Sequence, residues 1–305
     1  MTTAIDLFAG LGGLTEAAER AGIRVLWAAN HWPVAVEYHQ RNHPSVRHAC
    51  QDLQQADFRD APRHDVLLAA PSCVGHTHAR GKDLPRHDAA RATAWAVVTA
   101  AEVHRPPVVV VENVPGLTGW VLFPAWLSAL QALGYAVTTV EADAADHGVP
   151  QHRRRLFVVA TRTRAPLWLR LEPEPHLPIG PVLQLDRWAW SPIAREGRSP
   201  KTLARIANGR ARFGSRFVMP YYGSGSGETG RSLDRPIGTI TTRDRWAIVD
   251  GDRMRMLQPP EYAAAMGFAP NVALPGRRDI AIHLLGNALP PPLGRKVLSA
   301  VLEAA

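Results

Sequence analysis

Cysteine is scarce in this sequence. Cys50 and Cys73 are the only two in 305 residues, which excludes a disulfide-stapled scaffold and suits a reducing compartment, the cytoplasm. No uncharged apolar run approaches the roughly 18 residues that a membrane-spanning helix needs, so no membrane partner is expected. The N-terminus, Met1-Thr2-Thr3-Ala4-Ile5-Asp6, lacks the basic-then-apolar pattern of an export signal. Internal repeats are absent, which removes solenoids and propellers. Metal-ligand spacing is missing too: Cys73-Val74-Gly75-His76-Thr77-His78 has no second cysteine pair or spaced histidines to complete a zinc site, so no metal is expected. Nothing marks an obligatory protein partner, and a monomer is expected. Acidic residues are outnumbered, 27 against 35 basic ones, for a net charge of +8. That balance favours a polyanionic partner such as nucleic acid. Almost all the basic side chains are arginine, whose planar fork matches phosphates and guanine edges.

What is present is a regular alternation of short apolar runs and helical periods. Residues 2–9 read as a strand, 10–13 as a tight turn and 14–20 as a helix closed by Gly22. A strand at 24–29 and a helix at 34–42, entered through Pro33, follow. Further strands are expected at 46–50, 65–70, 108–111, 136–142 and 156–161, with helices at 89–103 and 123–133. This is the pattern of an α/β fold, a doubly wound and mostly parallel sheet. After Thr163 the composition changes. Proline, glycine, arginine and tryptophan interrupt every period from Arg164 to Arg235, so a second, smaller and irregular domain is expected. The expected division is residues 1–163 for a large domain, 164–250 for a small one and 251–305 for a C-terminal segment that packs back on the large domain through a helical period at 290–302. Within the small domain, Arg187-Trp188-Ala189-Trp190, the arginines Arg195, Arg198, Arg205, Arg210, Arg212 and Arg216, and the glycine-rich loop at 223–230 suggest a binding surface. Residues 237–240 and 246–249 are strand-like.

Three places carry candidate chemistry. The strand at 65–70 ends on Pro71-Ser72-Cys73, and Val108-Val109-Val110-Val111 ends on Glu112-Asn113. Two buried strands therefore bring a thiol and an acid to one rim of the sheet. Read alone, Cys73 is equally a buried filler and Glu112 equally a cap. The third place is Asp6-Leu7-Phe8-Ala9-Gly10-Leu11-Gly12-Gly13, where glycines after a strand let a ligand approach the backbone closely. It departs from the dinucleotide fingerprint, which wants a glycine at Thr15, and it has no phosphate-binding lysine.

These segments, with Gln151-His152-Arg153-Arg154-Arg155, Arg235-Pro236, Thr239-Ile240-Thr241-Thr242 and Gly286-Asn287-Ala288-Leu289-Pro290-Pro291, occur in the order seen in DNA cytosine-5 methyltransferases, and the chain resembles that family end to end. The resemblance implies a class I methyltransferase fold with S-adenosylmethionine as cofactor. Its site would take in Asp6, Phe8, Gly10, Leu11, Gly12, Gly13, Asn30, His31, Trp32, Asp52, Leu53, Pro71, Asn287 and Ala288, with Asp52 at the adenine. His31 stands where the family usually has a ribose-binding glutamate; a neutral imidazole can also hydrogen-bond a hydroxyl. The family's usual Pro-Cys-Gln is here Pro71-Ser72-Cys73-Val74, similar to a Pro-x-Cys subtype.

The implied activity is methylation of carbon 5 of a cytosine flipped out of double-stranded DNA. Cys73 would add to carbon 6 and make carbon 5 nucleophilic. Glu112 would donate or share a proton at ring nitrogen 3, with Arg153, Arg155 and Gln151 completing the catalytic set. The basic stretch from Val74 to Asp88 would close over the DNA. Methylation of transfer RNA, and a catalytically silent nucleic-acid-binding protein, are the alternatives.

Overall fold

The computed structural model describes residues 1–73, 90–221 and 230–305. The basic stretch at 74–88 and all but the last residue of the glycine-rich loop at 223–230 lie outside them. The chain divides into two compact units, Met1–Asp143, Arg154–Pro173 and Ala288–Ala305 forming the first, Ala144–Arg153 and Glu174–Asn287 the second.

The first unit is built on seven strands: β1 (Thr3–Leu7), β2 (Arg24–Asn30), β3 (Arg47–Cys50), β4 (Val66–Ala69), β5 (Val108–Asn113), β6 (Ala136–Asp143) and β7 (Arg154–Thr161), in the order β3-β2-β1-β4-β5-β7-β6. The first five in that order are parallel, and β7 runs antiparallel to both its neighbours. The sheet is therefore mostly parallel, as the alternating pattern implies. The central strands are the most uniformly apolar, because a parallel strand covered on both faces has no polar side. Every residue of β4 and β5 is buried, Glu112 and Asn113 included.

Residues alternate across the pleat. Ile5, Leu7, Leu67, Ala69, Val109 and Val111 enter one core, shared with helices α3 (Trp95–His104) and α4 (Phe123–Ala132). Trp126 of α4 is fully buried there and its indole N–H donates to the Ala94 carbonyl at 2.9 Å. Helix α1 (Gly13–Arg20) follows β1, and α2 (Pro33–Asn42) follows β2 with Pro33 in its first turn, where the missing N–H costs nothing. The C-terminal helix α8 (Pro291–Ala304) lies in this unit against α1. Gly294 makes that approach possible, since a Cβ there would come within 2.7 Å of the Ala17 side chain.

The second unit is more regular than its composition suggests. Strands β8 (Ser191–Pro192), β9 (Arg216–Pro220), β10 (Trp246–Asp250) and β11 (Arg253–Met256) form an antiparallel sheet in the order β8-β11-β10-β9. Helix α5 (Pro200–Phe213) packs Ile206 into a core with Phe217, Met219, Ala247 and Val249. The strand-like stretch 237–240 forms only an isolated bridge, Ile237 to Gln151. Helices α6 (Pro259–Ala265) and α7 (Arg278–Asn287) complete the unit. A buried ion pair anchors α6: Arg255 donates from both Nη atoms to Glu261 at 2.7 Å, and Glu261 also accepts the backbone N–H groups of Gln184 and Gln258. Among the described residues, no helix is long and apolar enough to cross a membrane.

Candidate active site

The thiol and the acid leave the sheet side by side. Ala69 of β4 is paired with Val111 of β5, so Pro71-Ser72-Cys73 and Glu112-Asn113 emerge at the same rim. The two strand ends are tied together, because Asn113, 3% exposed, donates from Nδ2 to the Pro71 carbonyl at 3.0 Å while its Oδ1 accepts the Val114 N–H at 2.9 Å. The Ser72 N–H donates to Thr93 Oγ1 at 3.1 Å, and Thr93 in turn donates to the Ala90 carbonyl. Cys73 is a half-buried thiol outside any disulfide. From the antiparallel neighbour β7, Arg155 places its Nε 2.6 Å from Glu112 Oε1, with both side chains buried. Its Nη1 donates to the Arg154 carbonyl, which fixes the guanidinium plane.

Gln151 and Arg153 belong to the second unit and are bonded to its backbone. The Ile240 peptide is held from both sides: its N–H donates to Gln151 Oε1 at 2.8 Å, and its carbonyl accepts from Arg153 Nη1 at 2.7 Å. Arg153 Nη2 donates to the Gly286 carbonyl at 2.6 Å, and Gln151 Nε2 lies 2.9 Å from Met266 Sδ. Gly286 must be glycine, as a Cβ would sit 2.3 Å from the Thr241–Thr242 peptide. Within the second unit, Gln151 and Arg153, the segment 240–242 and Gly286 thus meet in one packed cluster. The structure brings Arg155 to Glu112 and directs Arg153 to Ile240 and Gly286.

The turn after β1 is tight, as its glycines imply, but it begins inside the expected strand, at Phe8. Phe8 has φ 62°, Gly10 56° and Gly12 101°, values that glycine adopts freely and a phenylalanine rarely does. At Gly10 a Cβ would meet nothing nearer than the Phe8 carbonyl at 3.8 Å, so the surface beside it is open. Gly13 rests on Leu289, whose carbonyl would lie 2.1 Å from a Cβ, and Leu11 is buried. Around this turn stand the ends of the neighbouring strands. Asn30 Oδ1 accepts the Trp32 N–H, His31 is exposed, and Asp52 is exposed with its carboxylate accepting from Gln54 N and Gln55 Nε2. Leu53 and Ala288 are buried, and Asn287 ends α7 in the second unit.

Asp6 lies within the protein beneath the turn, fully buried, with Oδ2 accepting from Thr15 Oγ1 at 2.7 Å. Burial pushes its carboxyl up to about 7 against the opposing effect of the Thr15 hydrogen bond. Behind Thr15 stand His39, His43 and His48, which the motif reading passed over. The one sequence signal for them was the i, i+4 spacing of His39 and His43 on α2, which puts both on a single helix face.

A family model of C-5 cytosine-specific DNA methylases matches residues 2–181, more than half of the chain. The chain belongs to this family. Among its curated relatives, the type II methyltransferase M.AgeI of Thalassovita gelatinovora is 34% identical over 166 residues, 50% of this chain and 38% of that enzyme. The type II methyltransferase M.NlaX of Neisseria lactamica is 27% identical over 98% of this methylase and 96% of its own length. Among solved structures, a candidate DNA modification methyltransferase encoded in an E. coli prophage superposes with a TM-score of 0.74 at 18% identity, covering 100% of this chain and 99% of that one; at that identity the likeness concerns the fold, that of a class I methyltransferase. A methylase of this family requires a methyl donor, and the open turn at Gly10 lies on the rim where β4 delivers Cys73.

Proposed function

We propose that this methylase transfers a methyl group from S-adenosylmethionine to carbon 5 of a cytosine flipped out of double-stranded DNA, through a covalent bond between Cys73 and carbon 6. The observation that carries this reading is the joined pair of strand ends, where Asn113 holds the Pro71 carbonyl and Arg155 holds Glu112. Carbon 5 of cytosine is a weak nucleophile. Addition of the Cys73 thiolate to carbon 6 converts the ring to an enamine, and the negative charge that would accumulate is neutralised by a proton at nitrogen 3. Glu112 is the group for that proton, and Arg155 fixes its carboxyl in one orientation. Loss of the carbon 5 proton then breaks the sulfur–carbon bond and frees Cys73. Gln151 and Arg153 act by holding the segment around Ile240 in shape.

The residues around the turn fit this donor. An open backbone at Gly10, the exposed Asp52 carboxylate and His31 suit a cationic sulfonium with a neutral adenosine. No lysine or arginine lies between Asp6 and Gly13 to clamp a polyphosphate. Bound there, the donor supplies an electrophilic methyl group. Phe8, Gly10 and Gly12 would line it, with Asn30, His31, Trp32 and Asp52 along the adenosine. The net charge of +8 suits DNA as the partner. The type II relatives suggest a modification enzyme of a restriction system, acting as a monomer in the cytoplasm.

The test is a duplex carrying 5-fluorocytosine, from which carbon 5 cannot lose a proton. With S-adenosylmethionine present, the wild type should form a covalent adduct that maps to Cys73, and Cys73→Ser should form none while still binding duplex. Label from the donor appearing only in transfer RNA, or an adduct that persists in Cys73→Ser, would overturn the reading.

A further inference from the structure

The donor turn is backed by a continuous chain of side-chain hydrogen bonds. Thr15 of α1 donates to Asp6 of β1 at 2.7 Å, His39 Nε2 of α2 lies 3.1 Å from Thr15 Oγ1, and His48 Nε2 of β3 lies 2.8 Å from His39 Nδ1. A hydroxyl has one proton, so with Asp6 ionised Thr15 spends it on the carboxylate and must accept from His39 Nε2–H. His39 then has a bare Nδ1 and accepts from His48 Nε2–H. Every donor in the chain points toward the buried carboxylate. Burial, reinforced by His43 and His48, holds His39 well below the ordinary imidazole value and so keeps it neutral.

The four elements in this chain are those whose ends carry the donor-site residues. Beyond Asp6 in β1 come Phe8 and Gly10; α1 begins at Gly13; α2 follows Asn30, His31 and Trp32; and β3 leads from His48 to Asp52. The imidazoles also touch the turn itself. A Cβ at Gly12 would lie 2.4 Å from His43 Nε2 and 3.4 Å from the His39 ring. His43 is fixed from behind by Glu19 of α1 at 3.0 Å, and its ring centroid is 4.7 Å from that of His39.

We infer that His39 is a positioning residue for the methyl donor, holding the Phe8–Gly12 turn and the β2 and β3 strand ends in one arrangement through Thr15, Asp6 and His48. The inference rests on the donor site proposed above. Its energy comes from preorganisation: a turn with three residues at positive φ costs ordering free energy on binding unless the fold has already set it.

Equilibrium binding of S-adenosylmethionine, measured by calorimetry without DNA, tests it with two variants. His39→Gln retains an N–H able to reach Thr15 and should bind within about threefold of the wild type. His39→Leu fills the space beside Gly12 but donates nothing, and should lose about tenfold or more. Duplex DNA affinity should be unchanged in both. Wild-type affinity for the donor in His39→Leu overturns the inference alone; no donor binding by the wild type overturns the donor-site reading and the inference with it. A readout independent of any variant is the imidazole ¹⁵N spectrum of the donor-free wild type at pH 8. It should show His39 protonated at Nε2 and bare at Nδ1, and the opposite tautomer overturns the chain.

Discussion

Asp6 sets the proton chemistry at the scale of single residues. Its carboxyl is fully buried, one oxygen bonds Thr15, and the other has no hydrogen-bond partner among the described residues. The ionised form therefore gives up hydration without full replacement. With a folded value of about 7 against an ordinary 3.8, the folded protein binds a proton that the unfolded chain releases over this window. The stabilisation from that proton is complete below about pH 4, is lost as pH rises toward 7, and stays lost above. Asp6→Asn keeps an acceptor for Thr15 but cannot ionise. Urea unfolding of the two proteins should show the variant gaining on the wild type between pH 4 and 7 by on the order of 4 kcal/mol, with no further change above. A difference independent of pH would mean that Asp6 does not titrate there. The sequence made Cys73 and Glu112 legible because each ends an apolar run. The Thr15–His39–His48 chain was hidden, since helical spacing gives the face that a histidine shares but not the group it meets.

At the scale of elements, the bond from Asn113 to Pro71 couples two strand ends. Removing the amide leaves a buried carbonyl without its partner, a cost of about 1–3 kcal/mol. It also loosens the turn on which Cys73 sits two residues later. Asn113→Ala should therefore lower the single-turnover methylation rate by about tenfold or more, with duplex affinity unchanged, and lower the urea midpoint. A normal rate in a destabilised protein would reduce Asn113 to a purely structural tether. The parallel strands β1, β2, β4 and β5 were easy to place from the sequence because each is built on a short apolar run of its own. The antiparallel setting of β7 was not, since direction depends on partners and not on period. In the second unit, β8 at Ser191–Pro192 pairs with β11 at Arg253–Met256, and a strand of two residues carries no alternation to detect. Arg153 and Arg155 illustrate the same limit. Two positions apart in one basic run, they differ in partner by the strand boundary at Arg154, with Arg155 directed to Glu112 and Arg153 to Ile240 and Gly286.

Over the whole molecule, the first unit is assembled from three separated segments, and the last of them, Ala288–Ala305, is only a helix and its lead-in. That tail is integral to the unit by packing. Gly13, where α1 begins at the donor turn, sits on the Leu289 carbonyl, and Gly294 lets α8 close on Ala17. Leu293, Val297, Leu298 and Val301 are at most 1% exposed. Full burial of each such side chain stabilises by about 1.5–3 kcal/mol, so the four together contribute on the order of the 5–15 kcal/mol that separates a folded domain from its unfolded chain. A chain ending at Asn287 therefore loses the margin that keeps the first unit folded, and it loses the floor beneath Gly13. It should show no cooperative melting of the seven-stranded unit by calorimetry and no binding of S-adenosylmethionine. Adding residues 288–305 back as a separate peptide should restore part of both in proportion to its concentration, because the contacts it makes are noncovalent and linked to folding by mass action. A truncated chain that melts within about 5 °C of the full-length protein would show instead that the sheet holds the donor turn without α8.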